Sequence, residues 1–385
     1  MNNLASLEIN LRNLKDNIKS LKKLVKNDSQ FMAVVKADAY GHGLIECART
    51  AVQSGADWLG VVTIDEAIDC RNAGLAVPIL VLGYVPLEKV ELAAERNIAI
   101  PILDEAYAQK VSKMMFPFPL RAHLKVETGL HRMGMQKEES LKVYEILSKN
   151  SNILIEGIYS HFASVEEDNR QFTEDQVKEF KSIVKEFESK EIKFAVKHIS
   201  ASAAAMRFLD YQFNLVRFGI AIYGLWPSEE TKKEMLKIDP KLELKPVMSF
   251  KTVVAQVKNM PKGSKVGYGC TYEAKYPMKI AILPIGYYDG IDRGFSNPCP
   301  TESGKSGEVL IYGKRCSIVG RICMNMTIVN ISNLDREARR GDEVVVLGCQ
   351  FSEEITADEI AKKLNTINYE VVARMPAHIK REYKR

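Results

Sequence analysis

Apolar positions along this chain fall into two textures that change near residue 240. From Leu7 to about Trp226, short and nearly continuous apolar runs alternate with segments whose apolar residues recur at helical spacing. The runs are FMAVV, WLGVV, PILVLG, IAIPIL, RAHLKVE, ILIEGIYSHF, FAVKHIS and FNLVRFGIAIYG. The helical segments open with LRNLKDNIKSLKKLV, where Leu11, Leu14, Ile18, Leu21 and Val25 share one face and Asn10 stands in position to cap it. LIECARTAV, IDEAIDCRNAG, PLEKVELAAERN, ESLKVYEILSK and FTEDQVKEFKSIVKEF continue the alternation. Strands buried on both faces read as continuous rather than alternating apolar runs. Eight of them with helices between, over about 220 residues, predict an α/β architecture of the (β/α)8 barrel type.

The second texture follows PSEETKKEMLKIDPKLELKP, a charged stretch with three prolines. From Met248 the strands are short and alternating, as in SFKTVVAQV, KIAILPIGY and EVVVLG, with Gly and Pro turns between them, which predicts antiparallel β structure. One helix-like element, ADEIAKKLNTINYEVVAR, interrupts it late. The expected organisation is a barrel over residues 1–240 and a mostly β domain over 241–385, with residues 1–6 candidates to pair with the second domain. There is no internal repeat beyond the β/α alternation and no low-complexity tract.

Composition adds exclusions. Apolar residues make up 46% and charged residues 27%, as in ordinary soluble globular proteins. The formal charge of +5 comes from lysines spread over helical segments rather than one basic block, which argues against nucleic-acid binding. The seven cysteines, at 47, 70, 270, 299, 316, 323 and 349, are odd in number and form no CxxC pair, so reduced thiols are expected and no metal site. The N-terminal MNNLASLEINLRNLKDN has no apolar h-region, and no run reaches membrane-spanning length. A cytoplasmic location with no membrane association is the expectation.

Candidate chemistry gathers around Phe31 to Gly43, FMAVVKADAYGHG. Lys36 directly follows Ala33-Val34-Val35, where desolvation favours a neutral amine able to attack a carbonyl. A strand-end lysine snorkelling to water gives the same pattern. Further polar residues fall at the ends of later runs, where active sites of such barrels lie. Lys125 to Arg132 follow the fifth, His161 ends the sixth, His198 and Ser202 end the seventh, and Arg217 and Gly219 lie in the eighth. Singly, each has a structural reading: satisfied core histidines, an ion-pair arginine, a serine helix cap. Their common position is the functional signal.

Seven stretches, from Lys36 to Tyr369 and so through both domains, carry a resemblance to alanine racemases. KADAYGHG resembles the segment whose lysine, here Lys36, holds pyridoxal 5′-phosphate as a Schiff base. KVETGLHRMGM resembles the arginine segment, which implies that Arg132 bonds the cofactor's phenolic oxygen and the substrate carboxylate, and that Lys125 is a candidate carbamylated lysine supporting it. NLVRFGIAIYGL resembles the segment whose arginine, here Arg217, faces the pyridine nitrogen. The resemblance assigns phosphate to Ser202, the backbone amides of Gly219 and Ile220, and Tyr369 in TINYE, with Tyr40 and His161 also on the cofactor. A helix beginning at SAAAM would add its dipole at the phosphate.

In the second domain KVGYGCTYEA resembles the catalytic-tyrosine motif, implying that Tyr268 is the second acid/base, although a tyrosine between two glycines also reads as a turn residue. PIGYYDG and VGRICMNM resemble segments that bring Tyr287 and Met324 to a small amino-acid substrate. The family implies a head-to-tail homodimer with composite sites, and racemisation of alanine by a two-base mechanism supplying D-alanine for peptidoglycan. Ala201, Glu127 and Asn325 depart from the common pattern, where Asn, Asp and Asp are frequent. A racemase of serine or lysine is the alternative that Asn325 raises. A PLP-dependent decarboxylase would carry a carboxylate at the ring nitrogen and a glycine triplet at the phosphate, and a non-enzymatic PLP carrier would lack the second domain.

Overall fold

The computed structural model describes residues 4–297 and 306–385, so Cys299 and residues 1–3 lie outside the described residues. The strands are β1 (Ala5–Asn10), β2 (Gln30–Val34), β3 (Trp58–Val61), β4 (Ile79–Val81), β5 (Ile98–Ile102), β6 (Leu120–Lys125), β7 (Ile153–Tyr159), β8 (Val196–His198) and β9 (Leu215–Phe218), followed by β10 (Met248–Val253), β11 (Gln256–Met260), β12 (Lys265–Val266), β13 (Tyr272–Glu273), β14 (Met278–Leu283), β15 (Glu308–Ile311), β16 (Lys314–Ser317), β17 (Thr327–Asn330), β18 (Glu343–Gln350), β19 (Glu353–Ile355) and β20 (Lys380–Lys384). They fall into two compact units. One comprises residues 13–39 and 44–245; the other takes residues up to 12, 40–43 and 246–385.

The first unit is the barrel. Its parallel strands run in the order β8-β7-β6-β5-β4-β3-β2-β9. The seam between β8 and β9 is bridged by Arg217 N–H to Ser200 O at 3.1 Å and Asn214 N–H to Lys197 O at 3.4 Å, so the ring nearly closes. The eight apolar runs become these strands because both faces are covered: β3, β4 and β5 are buried at every position. Helices pack outside by the same logic. In Gln171–Ser189 the inward stripe is Val177, Phe180, Ile183, Val184 and Phe187, each side chain contributing about 1.5–3 kcal/mol on burial. Capping sets their starts: Thr63 and Glu66 form a reciprocal box before Ile64–Asn72, and Asp104 accepts from Tyr107 N–H before Glu105–Val111.

The second unit is built on a sheet of order β16-β15-β18-β10-β1-β20, with β19 on β18, beside the three-stranded β11-β14-β17 and the two-stranded β12-β13. The N-terminal strand β1 lies inside that sheet, next to its edge strand, antiparallel to β10 and parallel to β20.

Asn10, the last residue of β1, directly precedes the helix Leu11–Lys22. Three local readings change. The charged stretch near 230 contains a helix, Glu229–Ile238, because Ser228 accepts from Thr231 N–H at its start. SFKTVVAQV divides into β10 and β11. The late helix is two, Ala357–Leu364 and Asn368–Ala373, since Asn365 at φ 55° and ψ 49° ends the first in the left-handed region. Among the described residues no helix is long and apolar enough to cross a membrane, and no group of three His, Cys, Asp or Glu could hold a metal. The six described cysteines form no disulfide.

Candidate active site

Lys36 lies two residues beyond β2, half-buried, and opens a turn of unusual hand. Ala37, Asp38, Ala39 and Tyr40 all have φ near +54°. A left-handed turn costs L residues about 1–2 kcal/mol each, so something must hold it. Asp38 does so in part: its Oδ1 accepts Leu44 N–H at 2.8 Å and its own N–H donates to Glu66 Oε1 at 3.2 Å. Glu66 Oε2 also takes Val62 N–H at 2.8 Å, tying the turn to the loop after β3. Ala37 is exposed and Ala39 fully buried. Ala37→Gly is therefore expected to raise the barrel's unfolding free energy by about 1 kcal/mol in urea titrations, while Ala39→Gly gains less because a buried methyl is lost. A destabilised Ala37→Gly would show that this turn is unstrained.

Around the amine the field is cationic. Burial first, then Arg132 and Arg217, lower the Lys36 pKa against the opposing pull of Glu66. Lys125, the last residue of β6, is buried with its Nζ 4.4 Å from the ring centre of Tyr159. Burial, Arg217 and Arg132 hold its amine far below the ordinary lysine value. Burial alone would raise the carboxyl of Glu127, yet backbone N–H groups of Gly129, His131, Leu130 and Thr128 keep it low, so this side chain pins the loop that carries exposed Arg132.

Arg217, in β9, is buried and committed. Its Nη2 donates to Ile199 O at 2.7 Å, Ser160 O at 3.0 Å and His161 Nδ1 at 3.1 Å, and its Nη1 to His198 Nδ1 at 2.5 Å. Burial pulls its pKa down to about 10, which leaves it charged at neutral pH. His161 and His198 are held far below the ordinary imidazole value, by burial first and then by Arg217, so both are neutral acceptors. His123 is lowered as well, burial outweighing Glu156.

These three histidines give a pH dependence with a definite sign. Unfolded, each takes a proton near pH 6.5; folded, it resists one, so the unfolded state binds more protons below that value. Stability is full above about pH 6.5 and falls below it by up to about 1.4 kcal/mol per pH unit for each histidine, until the folded value is reached. Urea unfolding between about pH 7 and about pH 5 is expected to show the slope, and His161→Gln to flatten it by one proton's worth. A flat profile would mean that the histidines are charged in the fold.

Ser202 is the first residue of the helix Ser202–Arg207 with Ala201 at the N-cap, and its hydroxyl instead accepts Gly219 N–H at 3.0 Å. The helix-cap reading of Ser202 is thus replaced by a bond to the turn where Gly219 precedes the short 3-10 segment Ile220–Tyr223. The barrel unit therefore holds Lys36, Lys125, Arg132, His161, Ser202, Arg217, Gly219 and Ile220. Tyr159 was not foreseen: its hydroxyl is buried with no hydrogen-bond partner, and its ring stacks on His198 at 4.7 Å. Its place as the last residue of β7, level with Lys125 and His198, is the signal that would have found it.

The second unit holds the rest. Tyr40 and Tyr369 meet there, ring centres 6.3 Å apart. Tyr268 is 70% exposed on a turn between Gly267 and Gly269, both at positive φ. Tyr287 and Met324, 44% and 55% exposed, are brought together because Tyr287 N–H bonds Cys323 O at 3.1 Å and Tyr288 N–H bonds Met324 O at 3.0 Å.

Residues 9–227 match the profile of the alanine racemase N-terminal domain and residues 247–383 that of the C-terminal domain. An alanine racemase of Methanococcus maripaludis is 38% identical over 379 residues, covering 98% of this chain and 97% of its own. The crystal structure of alanine racemase from Bacillus anthracis with bound L-Ala-P aligns at a TM-score of 0.90 and 31% identity, covering 100% of this chain and 96% of that one. Alanine racemase of Clostridium difficile 630 in complex with cycloserine aligns at 0.88 and 34%, with 100% and 96% covered.

Proposed function

The chain belongs to the alanine racemase family, and on that premise we propose that it interconverts L- and D-alanine, with pyridoxal 5′-phosphate covalently held at Lys36. The carrying observation is the half-buried Lys36 amine, lowered by burial and by two arginines, in the same barrel as a buried arginine whose neighbours are neutral histidines. That donor set fits the cofactor. Lys36 can be neutral and nucleophilic, Ser202 Oγ with the Gly219 and Ile220 turn suits a phosphate, and Arg217 offers a ring nitrogen a donor that keeps its proton. Tyr40, His161 and Tyr369 complete the proposed cofactor contacts.

When bound, the cofactor supplies an electron sink that acidifies the amino acid's Cα–H bond. Arg132 binds the substrate carboxylate, and Tyr287 and Met324 border the substrate. Lys36, neutral in its cationic setting, takes or returns the proton on the D-alanine face, and Tyr268 does so on the L-alanine face. Tyr268 comes from a second copy of the chain in a head-to-tail homodimer. The exposed Tyr268, Tyr276, Tyr287, Tyr288, Met324 and Met326 support this, since soluble chains rarely leave such a set uncovered.

Lys125 is proposed to be carbamylated. A buried, neutral amine is the form that adds carbon dioxide, and the negative charge of the resulting carbamate would be attracted to Arg132 and Arg217, which disfavour the protonated amine. A carbamate carbon signal after labelling with 13C-bicarbonate, absent in Lys125→Arg, is the expected result.

Chiral product analysis of the PLP-loaded protein on L-alanine, L-serine and L-lysine tests the activity, with alanine expected to turn over fastest. Borohydride reduction followed by peptide mapping tests the attachment. An adduct on any residue other than Lys36, or none, would overturn the reading. The proposed role is D-alanine supply for peptidoglycan.

A further inference from the structure

A column of polar side chains runs through the barrel interior below Arg217. Arg121 Nε lies 3.0 Å from both carboxylate oxygens of Glu156, and its Nη2 2.9 Å from Oε2. Glu156 Oε1 is 3.2 Å from His123 Nε2, and His123 Nδ1 is 3.2 Å from His198 Nε2. His198 Nδ1 then meets Arg217 Nη1 at 2.5 Å. Barrel interiors are ordinarily filled by branched apolar side chains, and a buried polar group costs free energy unless its bonds are matched. A chain of such groups, from the second residue of β6 to β9, calls for a reason.

Matching its bonds leaves one solution. A guanidinium only donates, so His198 Nδ1 accepts. The proton of a neutral imidazole then sits on His198 Nε2, which donates to His123 Nδ1. His123 in turn carries its proton on Nε2 and donates to Glu156, a carboxylate that only accepts. Every tautomer is set by the two ends of the column. The fold also makes room for it: β6 and β7 shift register between Ala122 and His123, and opposite His123 stands Gly157. A Cβ on Gly157 would sit 2.3 Å from His123 Nδ1 and 2.5 Å from Cε1, so only glycine admits the ring.

We propose that Glu156 is a positioning residue for Arg217, acting through His123 and His198: as the acceptor that closes the column it holds both rings in place in the Nε2–H form that Arg217 requires, so that the guanidinium keeps one orientation at the barrel's C-terminal end. Its meaning for turnover rests on the racemase reading above; the tautomer lock does not.

The chain has six histidines, few enough to resolve in long-range 1H–15N spectra of the histidine-labelled, full-length protein, taken with and without cofactor. His123 and His198 are expected to be neutral and protonated at Nε2 in both states. Glu156→Leu removes the final acceptor and frees the His123 ring, so the His123 and His198 signals are both expected to shift, although Arg217 still requires an accepting Nδ1 on His198. Gly157→Ala, which keeps every titratable group but fills the ring's space, is expected to do the same. Glu156→Gln, whose amide oxygen still accepts from His123, is expected to restore them. In the loaded enzyme, kcat for alanine is expected to fall about 10- to 100-fold in Glu156→Leu, the usual loss when the orienting partner of a functional histidine is removed, and to recover in Glu156→Gln. A wild-type spectrum with either imidazole protonated at Nδ1 would overturn the proposal, as would a His198 signal indifferent to Glu156→Leu. If Glu156→Leu fails to fold, the wild-type and Glu156→Gln spectra decide. An inactive wild-type enzyme with both tautomers as expected would sink the racemase reading and leave the lock standing.

Discussion

Tyr268→Phe is expected to load cofactor at Lys36 as the parent does and to racemise L-alanine about 10²- to 10⁴-fold more slowly, the usual loss when a general base is removed. The substitution deletes one oxygen from a side chain that is 70% exposed, so stability and fold are untouched. A phenol with a reference pKa near 10 is a weak base at neutral pH unless a cation stabilises its anion. Within the second unit Arg321 lies against the Tyr268 turn: a Cβ on Gly269 would come within 2.9 Å of its Nη1. Mixing supplies the sharper test. Lys36→Ala and Tyr268→Phe are each expected to be nearly inactive alone, but in the proposed dimer random subunit exchange makes about half the dimers mixed, each with one intact composite site, for about one quarter of wild-type activity. Recovery to that level requires Lys36 and Tyr268 to act from different chains. A mixture no better than its parents, with exchange verified, would place both bases on one chain or remove Tyr268 from the reaction.

The barrel was legible because its strands are buried on both faces and so appear as unbroken apolar runs, whereas what holds the site was written in residues far apart in the chain. KADAY carries no glycine to signal a left-handed turn, and partners outside it, Leu44 N–H and the Glu66 carboxylate among them, help hold it there. Asn10 both precedes a helix and ends a strand, and the partners that make it a strand end, β10 and β20, lie more than 230 residues away. Asn365 carried a readable signal, an asparagine where a left-handed C-cap can form, hidden by the apolar periodicity on either side. Lys36, Arg217 and His198 stood out as polar residues at the ends of apolar runs. His123 and Glu156 did not, since polar residues inside a strand ordinarily point to solvent; here Gly157 opens the space that turns His123 inward.

Arg217→Glu is expected to divert the enzyme from racemisation toward transamination, seen as pyruvate accumulating from alanine. The native guanidinium donates to two carbonyls and two neutral imidazoles and stays charged, so it cannot give a proton to a pyridine nitrogen. A carboxylate in its place would face four acceptors. Burial then leaves two ways to relieve the repulsion: residue 217 takes a proton itself, or His161 or His198 becomes an imidazolium. Either way a transferable proton now stands where a permanent donor stood, and a protonated ring is a stronger electron sink. Racemisation is expected to fall about 10²- to 10³-fold, the scale of a lost electrostatic partner, with stability lower by about 3–5 kcal/mol because a buried charge network is broken. Arg217→Lys, which keeps the charge but fewer donors, separates the two effects: it is expected to lose stability and rate without producing pyruvate. If the glutamate variant folds, binds cofactor and forms no more pyruvate than the parent, Arg217 does not control the proton at the ring nitrogen.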